Sequence, residues 1–160
     1  MTDAPIILHE EQFQQLRQIL SKLRLDSFSR VVFLVDKNGQ QIAAQGDLGD
    51  LDTTSLASLA AGNVAATGGM ARLIGEKEFP TLSHEGERES IHICIIGRTL
   101  LVVVFDERSS LGLVKLRVKQ ASRELATIFD EITRESEQTA QDNPLLAGIT
   151  DDDIDSLFSS

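Results

Sequence analysis

No tryptophan and no tyrosine occur in the 160 residues, and seven phenylalanines supply all the aromatic surface. That argues against a platform on which single-stranded nucleic acid would stack. Positive charge is short as well: 15 Lys and Arg against 25 Asp and Glu leave a net charge of −10, the wrong sign for a phosphate backbone. Cys94 is the single cysteine, so no internal disulfide can form. The N-terminal MTDAPIILHEEQ has no basic stretch leading into an apolar run, so no secretory leader is read and a cytoplasmic location is expected.

Catalytic patterns are missing too. There is no GxxxxGK[ST] phosphate loop, and Gly62 to Gly69 does not directly follow a strand as a dinucleotide fingerprint would. No GxSxG occurs. His92 and Cys94 share one face of a strand, but two ligands fall short of a tetrahedral metal set. The paired acids Glu76 and Glu78, and Asp151 to Asp153, lie in segments that read as solvated. A chain without an active site of its own, and with no metal or cofactor site, is expected to be a binding or regulatory module.

One further absence organises the rest. From Thr53 to Ala71, TTSLASLAAGNVAATGGMA carries no charged side chain. Its serines, threonines and asparagine make it too polar to span a bilayer. At roughly 100° per residue, Leu56, Leu59, Ala60, Asn63, Thr67, Met70 and Ile74 share a face suited to a core. Ser58, Ala61, Gly62, Ala65, Gly68 and Gly69, ending at Arg72, form the opposite face, where a surface helix ordinarily carries Lys and Glu. Each helical glycine costs about 1 kcal/mol relative to alanine, so three in one helix call for a packing or a functional reason. Close approach of another polypeptide backbone supplies one; a helix buried on all sides within its own domain is the alternative.

Apolar residues three and four apart predict a helix over His9–Leu25. RVVFLVD at 30–36, the turn Lys37-Asn38-Gly39 and QIAAQ predict a tight hairpin. Asp52 or Thr53 should cap the uncharged helix, and Gly75 should stop it. Pro80 to His84 reads as an edge strand, while ESIHICII and TLLVVVFD read as a second hairpin about Gly97-Arg98. TLLVVVFD has no polar residue in its middle and should be central, covered on both faces. Ser109 or Ser110 then caps a long helix with a stripe from Leu111 to Ile132. The expected fold class is α+β: a five-stranded antiparallel sheet, two terminal helices on one face and the middle helix on the other.

Six carboxylates and no Lys or Arg lie in 136–160, which leaves residues 1–135 at only −4. Residues 1–135 are expected to form one domain and 136–160 a mostly disordered acidic tail. Ile154, Leu157 and Phe158 are spaced for one face of a short docking helix over 151–158.

The hairpin VVFLVDKNGQQIAAQG, the helix DTTSLASLAAGNVAATGGMARLIG and the segment HEGERESIHICIIGRTLLVVVFDERSSLGLVKLRVKQASREL resemble the Roadblock family, of the dynein light-chain type, and within it the bacterial gliding and polarity regulators. The likeness covers about residues 8–135. It implies a longin- or profilin-like fold and a homodimer joined through sheet edges and middle helices. It also implies a partner, a Ras-like small GTPase seated on those helices. Such relatives act as GTPase-activating proteins without inserting an arginine, so GTP and Mg would be bound by the partner. Carried onto this chain, the contact falls on Ala61, Ala65, Gly68, Gly69 and Arg72. Roadblock domains also serve as non-catalytic scaffolds that tether a GTPase or motor. A small-molecule sensor is a third reading, with no polar pocket evident to support it.

Overall fold

In the computed structural model, which describes residues 8–142, eight elements follow one another. They are α1 (Glu10–Ser27), β1 (Val31–Asp36), β2 (Gln41–Gly46), α2 (Thr53–Leu73), β3 (Thr81–Glu85), β4 (Glu89–Ile96), β5 (Thr99–Asp106) and α3 (Leu111–Asp142). All strand pairings are antiparallel, in the order β2-β1-β5-β4-β3. β5 is central, and its first seven residues are buried, as expected of an apolar strand covered on both faces.

Strand alternation sorts the apolar side chains into two layers. Val32, Leu34, Leu101, Val103 and Phe105 pack under α1 and α3. Val31, Phe33, Val35, Leu100, Val102 and Val104 pack under α2. The architecture is therefore the three-layer one expected, with the terminal helices on one side and the middle helix on the other.

Turn chemistry fixes the register. Gly39 has φ +91° and donates its N–H to the Asp36 carbonyl at 3.0 Å, closing the β1–β2 hairpin. At the other end of that hairpin Gly46 has φ +122°, and a Cβ there would run into the Arg30 carbonyl oxygen. Gly46→Ala is thus both strained and sterically blocked; it should destabilise the domain by about 2–4 kcal/mol, read as a lower urea midpoint with an unchanged slope.

The helix ends also follow local chemistry. Asp52 Oδ1 accepts the Ser55 N–H at 3.0 Å and caps α2, and Gly75 ends the helical stretch at φ +88°. Ser110 Oγ, of the two serines considered, accepts the Leu113 N–H at 3.2 Å. α3 runs on past Glu135, the expected domain boundary, to Asp142. The sequence there, SEQTAQD, has no large apolar side chain, and its Glu, Gln and Ala favour helix.

His92 is buried between β3 and α3, with Nδ1 2.7 Å from Ser83 Oγ. Burial, and then the charge of Lys115, push its pKa below the ordinary 6.5. A depressed value means that the unfolded chain binds the proton more readily. The stability contributed by neutral His92 is therefore complete above about pH 6.5 and is lost as pH falls through the folded value. Urea midpoints should decline between pH 7 and pH 5, and His92→Asn should flatten that slope whatever it does to the midpoint itself.

Candidate functional site

α2 lies on the sheet through its small residues. Ala57, Ala60, Val64, Gly68 and Ala71 are buried, and Ala61 is half-buried against the same layer. The sheet beneath is already filled by Phe33, Leu100 and the valines, so only small side chains allow the helix to settle that close. Larger side chains are turned away: Leu59 is 70% exposed, Met70 61% and Leu73 87%. With Gly62 and Ala66 between them, at three- and four-residue spacings, they make one outward apolar stripe without a charge.

This corrects the face assignment that periodicity suggests, which is off by roughly a quarter turn. Periodicity places Leu59, Met70 and Ile74 toward the core, and all three are exposed. It places Ala61 and Gly68 on the outer face, and both lie toward the sheet. Periodicity cannot separate two arcs that are both uncharged; what decides is the room left above the sheet.

Ala65 and Arg72 are exposed, and Gly69 is half-buried. Together with Ser58 they form the flank of the stripe on the side of the β1–β2 turn, where Gly39 approaches the Ser58 backbone. Arg72 is the one basic residue of α2, in its last turn, and its Nη1 would lie 3.7 Å from a Cβ added at Gly68. The opposite flank leans toward β3, since Asn63 Oδ1 lies 3.4 Å from His84 Nε2. Nothing lies within 4 Å of a Cβ added at Gly62 or Gly69. Gly62→Ala should stabilise the isolated chain by about 0.5–1 kcal/mol, seen as a raised melting temperature.

Beside that helix, β3 is an outer strand. Ile95 donates its N–H to the Pro80 carbonyl at 2.9 Å, which sets the phase of the β3–β4 ladder. By alternation Leu82 and His84 bond inward to β4, and the backbone groups of Thr81, Ser83 and Glu85 face the open edge. An uncharged helical stripe and an unpaired strand edge thus adjoin, both of them surfaces that accept another polypeptide. Among the described residues no cluster of three metal-ligating side chains occurs, and no helix is long and apolar enough to cross a membrane.

The model of the Roadblock/LC7 domain matches residues 19–105. Among solved structures the chain is similar to Myxococcus xanthus MglB, at 54% identity over 79% of this chain and 96% of that one, with a TM-score of 0.74. The chain belongs to the Roadblock/LC7 family. The gliding protein MglB of Thermus thermophilus is 34% identical over 81% of this chain and 99% of its own, with a TM-score of 0.76. A further MglB structure, described as having a tetrameric arrangement, is 32% identical over 82% and 99%, with a TM-score of 0.77. No curated protein sequence matches the chain significantly.

Within this Roadblock/LC7 domain the residues anticipated at the contact do not all share a surface. Ala65, Gly69 and Arg72 line one flank of the outward stripe, whereas Ala61 and Gly68 support it from beneath. Leu59, Met70 and Leu73, which sequence reasoning places elsewhere or leaves out, carry most of its apolar surface. The signal that could have found them is the row of small residues at Ala57, Ala60, Gly68 and Ala71: a helix that sets these on its support lies close to it, and large residues then have to point away. The tail residues Ile154, Leu157 and Phe158 lie outside the described residues.

Proposed function

We propose that this chain is a homodimeric regulator of a Ras-like small GTPase of the MglA type, acting as a GTPase-activating protein in cell polarity or motility. The observation that carries the reading is the outward apolar stripe of α2, exposed in a chain 54% identical to an MglB. Two copies join through β3, edge to edge, so that the sheets run on and the α2 helices lie side by side as a platform. The Asn63 flank, nearer β3, meets the second copy, and the Ala65, Gly69 and Arg72 flank meets the GTPase.

GTP and Mg are held by the partner, and this chain needs no cofactor. Its contribution is positional: seating on the platform moves the partner's own water-positioning and charge-stabilising groups into line, the effects that dominate phosphoryl transfer. Arg72 acts as a rim contact and not as an inserted finger, because it sits in the last turn of α2 beside Gly68. The acidic tail docks on the GTPase through Ile154, Leu157 and Phe158 and tunes affinity or nucleotide exchange.

Phosphate release from a GTP-loaded MglA-type protein, with and without this chain, is the test. Stimulated turnover supports the reading. Stable complex formation at an unchanged rate would replace it with a tethering scaffold.

A further inference from the structure

The opposite face of the sheet carries a second surface that the GTPase reading does not use. α1 and α3 leave a cleft of about 500 Å³ along their seam, floored by Ile19 and Ile128. It continues past Gln15 and Glu131 into a recess of about 200 Å³ beside Gln12. From Glu11 to Lys22 the seam follows α1 for about 16 Å, three helical turns. Ile128 is buried at 8% exposure and Ile19 half-buried, so the floor of the larger cleft is apolar, whereas the recess is lined by polar side chains.

The walls of this seam carry charge of largely one sign. Glu11, Glu124, Glu131 and Glu135 stand along it against Lys22 and His9, whose Nε2 lies 3.9 Å from Glu135 Oε2, and all four glutamates are exposed. Glu135 is held in place, its Oε2 accepting from Gln12 Nε2 at 2.8 Å. An apolar floor about two turns long, within a seam of three turns that has acidic walls, matches a helix with one apolar stripe and basic flanks. The chain's own acidic tail would set like charge against like. A second copy would bring four carboxylates against four.

The geometry points to the α1–α3 seam as a docking groove for a basic amphipathic helix of another protein. The groove is independent of the α2 platform and lies on the other side of the sheet, so both can be occupied together. Docking here would recruit a partner without blocking the GTPase.

The probe is a synthetic peptide of about sixteen residues, leucines on one helical face and lysines on the flanks. A scrambled peptide of the same composition removes the stripe, and a version with glutamate for lysine reverses the charge. Binding to the full-length chain is followed by titration calorimetry and by backbone amide shifts in NMR spectra. The Leu/Lys peptide should bind, with shifts confined to residues 11–22 and 124–135, and the glutamate version should not. Glu124→Lys with Glu131→Lys should weaken it about tenfold while stimulation of GTP turnover stays unchanged. Shifts on α2, equal binding of the scrambled peptide or an unaltered affinity in the double variant would overturn the proposal. So would binding only after residues 143–160 are removed, which would assign the groove to the tail. Loss of self-association in Glu131→Lys would assign it to a second copy.

Discussion

Ala65→Arg should remove stimulation of GTP hydrolysis while leaving the chain folded and dimeric. Ala65 is exposed on the flank of α2 that also carries Gly69 and Arg72, away from the buried row of Ala57, Ala60, Val64, Gly68 and Ala71. Nothing in the domain's interior has to move to admit a long side chain there. A partner resting its backbone against that flank would meet both the bulk and a charge with no counter-ion on α2, which has no acidic residue. Central interface positions of this kind lose about 3–4 kcal/mol, a weakening of several hundredfold. The measurements are phosphate release at fixed GTPase concentration and sedimentation of the variant alone. Full stimulation by a folded Ala65→Arg protein would move the GTPase contact off this helix.

Met70→Glu should have the complementary effect and dissociate the homodimer. Met70 is 61% exposed in the single chain, and the helical angle sets it on the Asn63 side of the stripe, which leans toward β3. Two copies joined through β3 bring the two Met70 side chains toward the shared axis. The substitution then loses about 2 kcal/mol of apolar burial per copy and places two carboxylates near one another. Sedimentation equilibrium should show the dissociation constant raised at least about a hundredfold, with the melting temperature of the monomer little altered. Stimulation of the GTPase should fall with it, and should be partly restored at high protein concentration by mass action. That concentration dependence separates Met70→Glu from Ala65→Arg, whose defect concentration corrects only by overcoming a much weaker contact.

The sheet was legible in the sequence wherever β-branched runs met residues suited to turns. The bounds of β4 and β5 agree with the expected ESIHICII and TLLVVVFD, because Gly97-Arg98 allows one hairpin and Gly97 adopts φ +59° there. Pro80 marked the edge strand for a physical reason. It lacks an N–H, and its carbonyl alone serves the ladder. Central burial of β5 followed from its lack of polar side chains between Thr99 and Asp106.

What could not be read was the rotation of α2. Alanine and glycine contribute so little to a periodic signal that the bulky Leu56, Leu59, Met70 and Ile74 dominate it, and bulk is ordinarily assigned to the core. The rule fails here because the sheet brings the bulk itself, in Phe33 and Leu100, and the helix has to bring the small residues. The consequence favours the functional reading. Turning the stripe outward replaces a merely small surface with an apolar one, and apolar exposed surface provides more of the drive for association. The extent of α3 escapes the sequence for another reason: the last turns to Asp142 rest on helix propensity and not on an apolar stripe.

The flank assigned to the GTPase carries a natural reporter in the methyl group of Ala65, which is exposed there. With alanine methyl groups labelled with carbon-13, addition of a GTP-loaded MglA-type protein should shift or broaden the Ala65 signal at stoichiometric ratio and leave that of Ala121, buried on the other side of the sheet, unchanged. An unperturbed Ala65 methyl, in a sample where the GTPase is shown to be bound, would mean that the partner sits elsewhere and that the uncharged helix is not its seat.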